Sequence, residues 1–353
     1  MLLEDVLIVD PVDGEYVGTI EFDKKVEKTV RSNKTHYNSI IMPAFVDPHI
    51  HGIMGIDTMT ASSNDFQKFK EYEALEGVFL FLSTTVTCTL ERLKDIGNNL
   101  PDDLKLHIEG PFISEERKGA HNERYIINPP RNISELEKYI PIEKIGIITT
   151  APEKENFLYF ADSCNEKGIR ISLGHSNANF ETAKVAYEKG YKRITHFPNA
   201  LSPMHHRDLN MVGAVFYFDF IVEIIADGIH SAPEFVDLVY KIKGADKIIL
   251  VTDSISATGL KDGDYLLGDL PVKVVDGIAR LSNGTIAGST LRFSQALKNF
   301  QKFTKCTLQE LAKVSSYNAC KDLGLDCGRI TEGKDAKFVQ LDNELNILKT
   351  WNY

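Results

Sequence analysis

A chain of 353 residues is too long for one small domain and suits an α/β barrel with a minor appendage. With 43% hydrophobic and 25% charged residues it is ordinary globular material, rich enough in apolar side chains for a large core. The net charge of −10, from 40 basic and 50 acidic side chains, argues against a nucleic-acid partner but still admits an anionic small molecule in a locally basic pocket.

The first forty residues predict short strands at Val6–Val9, Tyr16–Phe22 and Lys25–Val30, punctuated by Pro11, Asp13-Gly14 and Asp23. Eight β-branched or apolar runs follow: Ile40–Val46, Val78–Thr87, Leu104–Ile108, Ile145–Thr150, Ile169–Leu173, Arg193–Thr195, Phe220–Ala226 and Lys247–Thr252. Helical patterns such as Asp65–Leu75, Asn179–Glu188 and Pro233–Ile242 separate them, which is the signature of βα units and a parallel sheet. The economical architecture is a (β/α)₈ TIM-like barrel over residues 43–327. The strand-like ends, residues 1–42 and 328–353 (the latter including Ala336–Leu341 and Asn346–Trp351), then form a small β-sandwich built from both termini, entered again at Gly328–Gly333. Five cysteines, Cys88, Cys164, Cys306, Cys320 and Cys327, are odd in number and contain no C-x-x-C pair. They are expected to form neither a disulfide framework nor a thiolate zinc site, with Cys88 and Cys320 packing as small apolar residues. The acidic MLLEDVLIVD start lacks a signal-peptide pattern and no apolar run is long enough to span a bilayer, so a cytoplasmic protein without a membrane partner is expected.

Catalytic groups of such barrels sit where strands end and βα loops converge. After the first predicted run comes Asp47-Pro48-His49-Ile50-His51-Gly52, whose two histidines at i and i+2 project to one side of an extended segment. Glu109 follows the third run, His175 the fifth, His196 the sixth and Asp253 the eighth. A lone histidine is more often structural than a ligand. Six ligand-type residues at five strand ends point to a metal, Zn²⁺ or Fe²⁺ first, with cobalt or manganese also accepted by such a set. A bound divalent ion would lower the pKa of water from ~16 towards ~7. A neighbouring carboxylate could take the proton and return it to a leaving amine, and Asp253 is the candidate.

The ordered series PAFVDPHIHG, HIEGPF, GHSNA, THFPNA, DGIH, VTDSISATG, GTIAGSTL and GRITEGKDAKFV resembles the N-acetylglucosamine-6-phosphate deacetylases of the amidohydrolase superfamily. The resemblance runs over nearly the whole chain. HIEGPF, DGIH and VTDSISATG are specific to those enzymes, whereas the H-x-H pair marks only the superfamily. Glu109 in place of a bridging lysine fits the deacetylases rather than the dihydroorotases or hydantoinases. By that resemblance Glu109, His175 and His196 hold the main divalent ion, His49 and His51 a second one, and Asp253 is the catalytic acid and base. One or two ions per subunit are thus implied. Substrate contacts fall to Ala120 and His121 in KGAHN, to Asn199 and Ala200, and to Ile286, Ala287 and Gly288. The phosphate falls to Arg207, within the basic cluster His205-His206-Arg207, and to His230. A homodimer completing the phosphate pocket is implied in the same way. The expected reaction is hydrolysis of N-acetylglucosamine 6-phosphate to glucosamine 6-phosphate and acetate. The alternatives are the galacto epimer as substrate, an amidohydrolase indifferent to phosphate, and a non-catalytic barrel, the last disfavoured by the intact ligand set.

Overall fold

The computed structural model describes residues 1–352. Eight parallel strands lie side by side in sequence order: Phe45–Ile50, Val78–Thr85, Lys105–Glu109, Ile145–Thr150, Arg170–Leu173, Arg193–Ile194, Ile221–Ile225 and Ile248–Val251. The seam between first and last is closed by the Asp253 N–H donating to His49 O (2.9 Å) and the His51 N–H donating to Ser254 O (2.9 Å). At the same seam the Thr252 hydroxyl donates to Asp47 Oδ2. The barrel is therefore (β/α)₈, as the alternation of runs predicts.

Half of these strands are buried along their whole length and the rest at all but one or two residues, so they read as continuous apolar runs rather than alternating ones. The intervening helices bury one stripe each. Ser63–Leu75 starts on a Ser62/Asp65 capping box and buries Phe66 and Phe69. Phe180–Glu188 starts on Asn179, whose side chain accepts from the Thr182 N–H.

Both termini build a second, six-stranded sheet in the order Ile347–Asn352, Lys337–Leu341, Ile40–Pro43, Leu2–Asp10, Gly14–Phe22, Val26–Arg31. Its outer strand Val26–Arg31 meets the segment leading into Lys337–Leu341, through Val26 N–H to Lys334 O and Ala336 N–H to Lys24 O, both 2.9 Å. The sheet thus curls over an apolar core of Val6, Ile8, Ile20, Phe22, Ile41, Phe338 and Trp351, a small sandwich fed by both ends of the chain.

Two expectations change. The run Ile40–Val46 is not one barrel strand: Ile40–Pro43 belongs to the terminal sheet, and the barrel strand begins at Phe45. The handover occurs at Ala44, whose N–H bonds Lys337 O while the next N–H, of Phe45, bonds Gly77 O in the barrel. His49 accordingly lies inside the first barrel strand rather than after it. Cys320 does not pack as a free thiol but is bonded to Cys327. Gly324, at φ +71°, lets the chain turn back after the Asn318–Asp322 helix and brings the two Cα atoms to 5.6 Å, a proximity no spacing motif announces. Cys88, Cys164 and Cys306 are buried free thiols.

An antiparallel three-stranded sheet, Gly263–Leu267, Leu270–Val275 and Ile278–Arg280, was not anticipated and follows the eighth strand as a flap over the barrel mouth. Its turn pairs Gly268-Asp269 and Asp276-Gly277 were readable. Among the described residues no helix is long and apolar enough to cross a membrane.

Candidate metal-dependent active site

Six side chains from five strands meet at the C-terminal mouth of the barrel. Glu109 is the hub: its Oε1 lies 3.1 Å from His175 Nε2, 3.0 Å from His196 Nε2 and 3.6 Å from His49 Nε2. Its Oε2 lies 3.3 Å from His51 Nε2 and 3.4 Å from His121 Nε2. Asp253 Oδ1 faces His51 Nε2 at 3.0 Å and His49 Nε2 at 3.4 Å. All six are buried. The backbone that delivers them is strained, with φ of +46° at His175, +30° at His196 and +52° at Asp253, a left-handed region that non-glycine residues enter only when surroundings impose it. Gly110, directly after Glu109, has no substitute: at φ +75° a Cβ there would stand 2.1 Å from Thr87 Oγ1.

Hydrogen-bond partners assign the imidazole tautomers. His49 Nδ1–H donates to Glu223 Oε2 (2.9 Å), His51 Nδ1–H to Thr84 O (3.2 Å) and His175 Nδ1–H to Arg117 O (2.9 Å). Each ring, when neutral, therefore carries its lone pair on the Nε2 aimed at the carboxylates. His121 is the reverse case. The Thr87 N–H donates to its Nδ1 (3.0 Å), so the ring proton sits on Nε2, turned into the cleft as a donor. The resemblance separates His121, as a substrate contact, from the ligands His49, His51 and His175; the hydrogen-bond partners draw the same line in the rings, three with Nδ1–H and one with Nε2–H.

A divalent ion fits this set. Ligand atoms bound ~2.1 Å from one ion lie roughly 3.0–3.4 Å apart. Glu109 Oε1, His175 Nε2 and His196 Nε2 are mutually 3.0–3.1 Å apart, the two nitrogens at 3.0 Å. The buried His49 Nε2 has no hydrogen-bond partner among the described residues. His49, His51 and Glu109 form a second three-ligand cluster beside the first. The electrostatics agree. Burial alone would lower the His51 imidazole, yet its bonds to Asp253 and Glu109 push it up to about 9. Burial would raise Asp253, but His49 and His51 pull it down to about 2. The pocket stabilises positive charge, which a divalent ion supplies more compactly than protons. His121 also faces Glu109, but burial and the neighbouring His175 outweigh that carboxylate and bring the ring down to about 4, so it stays neutral.

A cleft of about 360 Å³ opens over the cluster. His51, Glu109, His175, His196 and Asp253 line it, together with Ala120, His121, Asn199, Ala200, His230, Ile286 and Gly288 from the expected substrate set. His49 lies beneath this floor and Ala287 is fully buried behind the wall. His230 is fixed by Asp227, whose bond raises the imidazole against the lowering effect of burial. Arg207 is the exception: it is exposed on the His205–Asp208 turn beside His206, outside the cleft lining of its own chain. Glu116 and Arg117 line the cleft without having been singled out, and Leu267 adds an apolar contact from the flap.

Buried titratable residues below the floor were also missed. His107 shares a strand face with Glu109, a spacing of two that was visible. Glu223 is the lone charge in IVEII, and charge inside a buried parallel strand was itself a signal.

A model of the amidohydrolase family matches residues 40–353. The chain belongs to the amidohydrolase family. It is 40% identical to an N-acetylglucosamine-6-phosphate deacetylase of Lysinibacillus sphaericus, over 88% of this chain and 83% of that one. It superposes on the crystal structure of the Thermotoga maritima N-acetylglucosamine-6-phosphate deacetylase with TM-score 0.94 and 48% identity, over 100% and 98% of the chains. A variant of the Mycobacterium smegmatis deacetylase in complex with N-acetyl-D-glucosamine 6-phosphate matches with TM-score 0.93 and 25% identity, over 100% and 97%.

Proposed function

We propose that this amidohydrolase removes the acetyl group of N-acetyl-D-glucosamine 6-phosphate, releasing glucosamine 6-phosphate and acetate. One observation carries the reading: bare histidine lone pairs around Glu109, a carboxylate at Asp253 and an imidazole N–H at His121 converge on one cleft. Glu109, His175 and His196 would hold one divalent ion, and His49 with His51 a second. Zinc or iron is the first choice, with cobalt and manganese fitting the same donors. When bound, such an ion supplies Lewis acidity to water and to the amide carbonyl.

The chain does the rest. Asp253 takes the proton of the attacking water on its carboxylate and hands it to the departing amine. Against the raising effect of burial, His49 and His51 keep the Asp253 carboxyl ionised and able to accept that proton. His121 Nε2–H donates to the carbonyl oxygen as negative charge grows on it, a role its fixed tautomer permits and a ligand role does not. Ala120, Asn199, Ala200 and the Ile286–Gly288 wall hold the sugar. His230 binds the phosphate from within the cleft.

Arg207, turned outward on its own chain, supports a homodimer in which it reaches the partner's cleft. The substrate's dianionic phosphate cannot cross a bilayer unaided, which supports a cytoplasmic enzyme. We also propose the division into a terminal unit, residues 1–42 plus 328–353, and a catalytic unit, residues 43–327.

The test is acetate release by protein of known metal content. It compares N-acetylglucosamine 6-phosphate with its unphosphorylated form and with N-acetylgalactosamine 6-phosphate. Fast release from the first alone supports the assignment. Equal rates with and without phosphate would refute the phosphate pocket, and preference for the galacto sugar would reassign the substrate.

A further inference from the structure

His49 differs from the other lone-pair histidines in what stands behind it. His51 and His175 donate their Nδ1–H to backbone carbonyls, whereas His49 donates to the carboxylate of Glu223. That carboxylate is held on both oxygens. Oε2 also accepts the His196 backbone N–H at 3.1 Å, and Oε1 accepts from Arg193 Nη2 at 2.6 Å. Arg193 in turn pairs through Nη1 with Asp322, on the helix that carries Cys320. Glu223 and Arg193 are 0% and 3% exposed, so the Glu223–Arg193 pair is buried, and the chain of charges ends at the half-buried Asp322.

The arrangement has a purpose that packing alone does not explain. On its other nitrogen His49 faces two carboxylates, Asp253 Oδ1 at 3.4 Å and Glu109 Oε1 at 3.6 Å. Either would draw the ring proton to Nε2, the position that must be bare for His49 to bind an ion. Glu223, fixed by Arg193, competes for that proton from the opposite side. His107 cannot take its place, although its ring centroid lies 4.6 Å from that of His49. Both His107 nitrogens are engaged, Nδ1 with Pro48 O (2.9 Å) and Nε2 with Thr149 Oγ1 (2.7 Å). For the same reason the His49, His107 and Glu223 cluster is no third metal site.

We infer that Glu223, clamped by Arg193, is the positioning residue that holds His49 in its ligand tautomer and thereby decides whether the second ion binds. This rests on the reading of His49 and His51 as ion ligands. The experiment strips the full-length protein with a chelator and titrates it with Co²⁺. Stoichiometry is followed by elemental analysis, coordination by the visible cobalt spectrum, and folding by thermal melting. His49→Ala is the reference variant and should lose the second ion outright. Glu223→Ala should weaken the second ion roughly 10- to 100-fold, the usual cost of removing a residue behind a ligating histidine, and leave the first within about threefold. Glu223→Gln keeps an acceptor for Nδ1–H without its charge and should lie between the two. If Glu223→Ala does not fold, Glu223→Gln decides alone, with about a tenfold loss expected.

Wild-type second-ion affinity in a folded Glu223 variant, beside a His49→Ala variant that loses one ion, would overturn this inference and spare the two-ion reading. A wild-type protein that binds a single ion, with His49→Ala binding the same, would overturn both.

Discussion

In the terminal sheet, Asp10 is buried and accepts from the Val12, Asp13 and Ile330 N–H groups and from the Arg329 guanidinium. Beside it Phe338 packs edge-on against Phe22 with centroids 4.7 Å apart, and 5.2 Å from Trp351. At the barrel mouth the pattern is inverted. Imidazole nitrogens face one another at 3.0 Å, His49 Nε2 has no hydrogen-bond partner among the described residues, and three of the residues sit at positive φ. The sheet uses Asp10 to close the two ends of the chain together, with Trp351 Nε1 its buried polar atom lacking a hydrogen-bond partner among the described residues; the mouth instead gathers ligand-type groups at the spacing an ion needs. Buried polar groups left open are costly, so they persist only where the surrounding fold holds them in place.

The comparison can be broken most directly by chelation. Removing divalent ions should abolish acetate release while leaving the far-ultraviolet circular dichroism unchanged; unfolding on chelation would make the cluster a structural site. Next, Asp253→Asn should lower kcat by about 10²- to 10⁴-fold with metal content intact, measured by steady-state kinetics beside elemental analysis. Loss of metal with activity would recast Asp253 as chiefly a ligand.

Phe338→Ala should act in the opposite sense, costing about 3–5 kcal/mol of stability in denaturant melts while the folded fraction keeps its kcat. A kcat that fell with stability would mean that the sheet shapes the site. His121→Phe should cost about 10²- to 10³-fold in kcat with both ions retained, as expected for a lost oxyanion donor. If an ion is lost instead, the tautomer assigned from the Thr87 N–H is wrong. The smallest effect belongs to Asp10→Asn. It should lower stability by about 1–3 kcal/mol through imperfectly replaced hydrogen bonds, and kcat should not move.

Much of the candidate site was legible because barrel strands alternate with helices and ligand-type residues fall at or near their ends. His49, His51, Glu109, His175, His196 and Asp253 needed only the strand boundaries and a metal chemist's eye for residue type. The handover at Ala44 was not legible, since Ile40–Val46 is apolar throughout and the change of sheet depends on which distant carbonyls, Lys337 and Gly77, meet its N–H groups. Nor was the Cys320–Cys327 bond, which depends on a reversal at Gly324 rather than on spacing. Arg207 could be named but not placed, because an exposed turn is directed by neighbours the sequence does not reveal.

By itself the sequence determined the architecture and the inventory of ligand-type side chains, because the period of buried residues and the position of His, Glu and Asp after each run are local facts. Only the tertiary structure decided what each histidine can do. A ring nitrogen carries a proton or a lone pair according to its partner, and the partners of His49, His51, His121 and His175 lie between 33 and 174 residues away along the chain. Contacts that distant exist only once the barrel has closed.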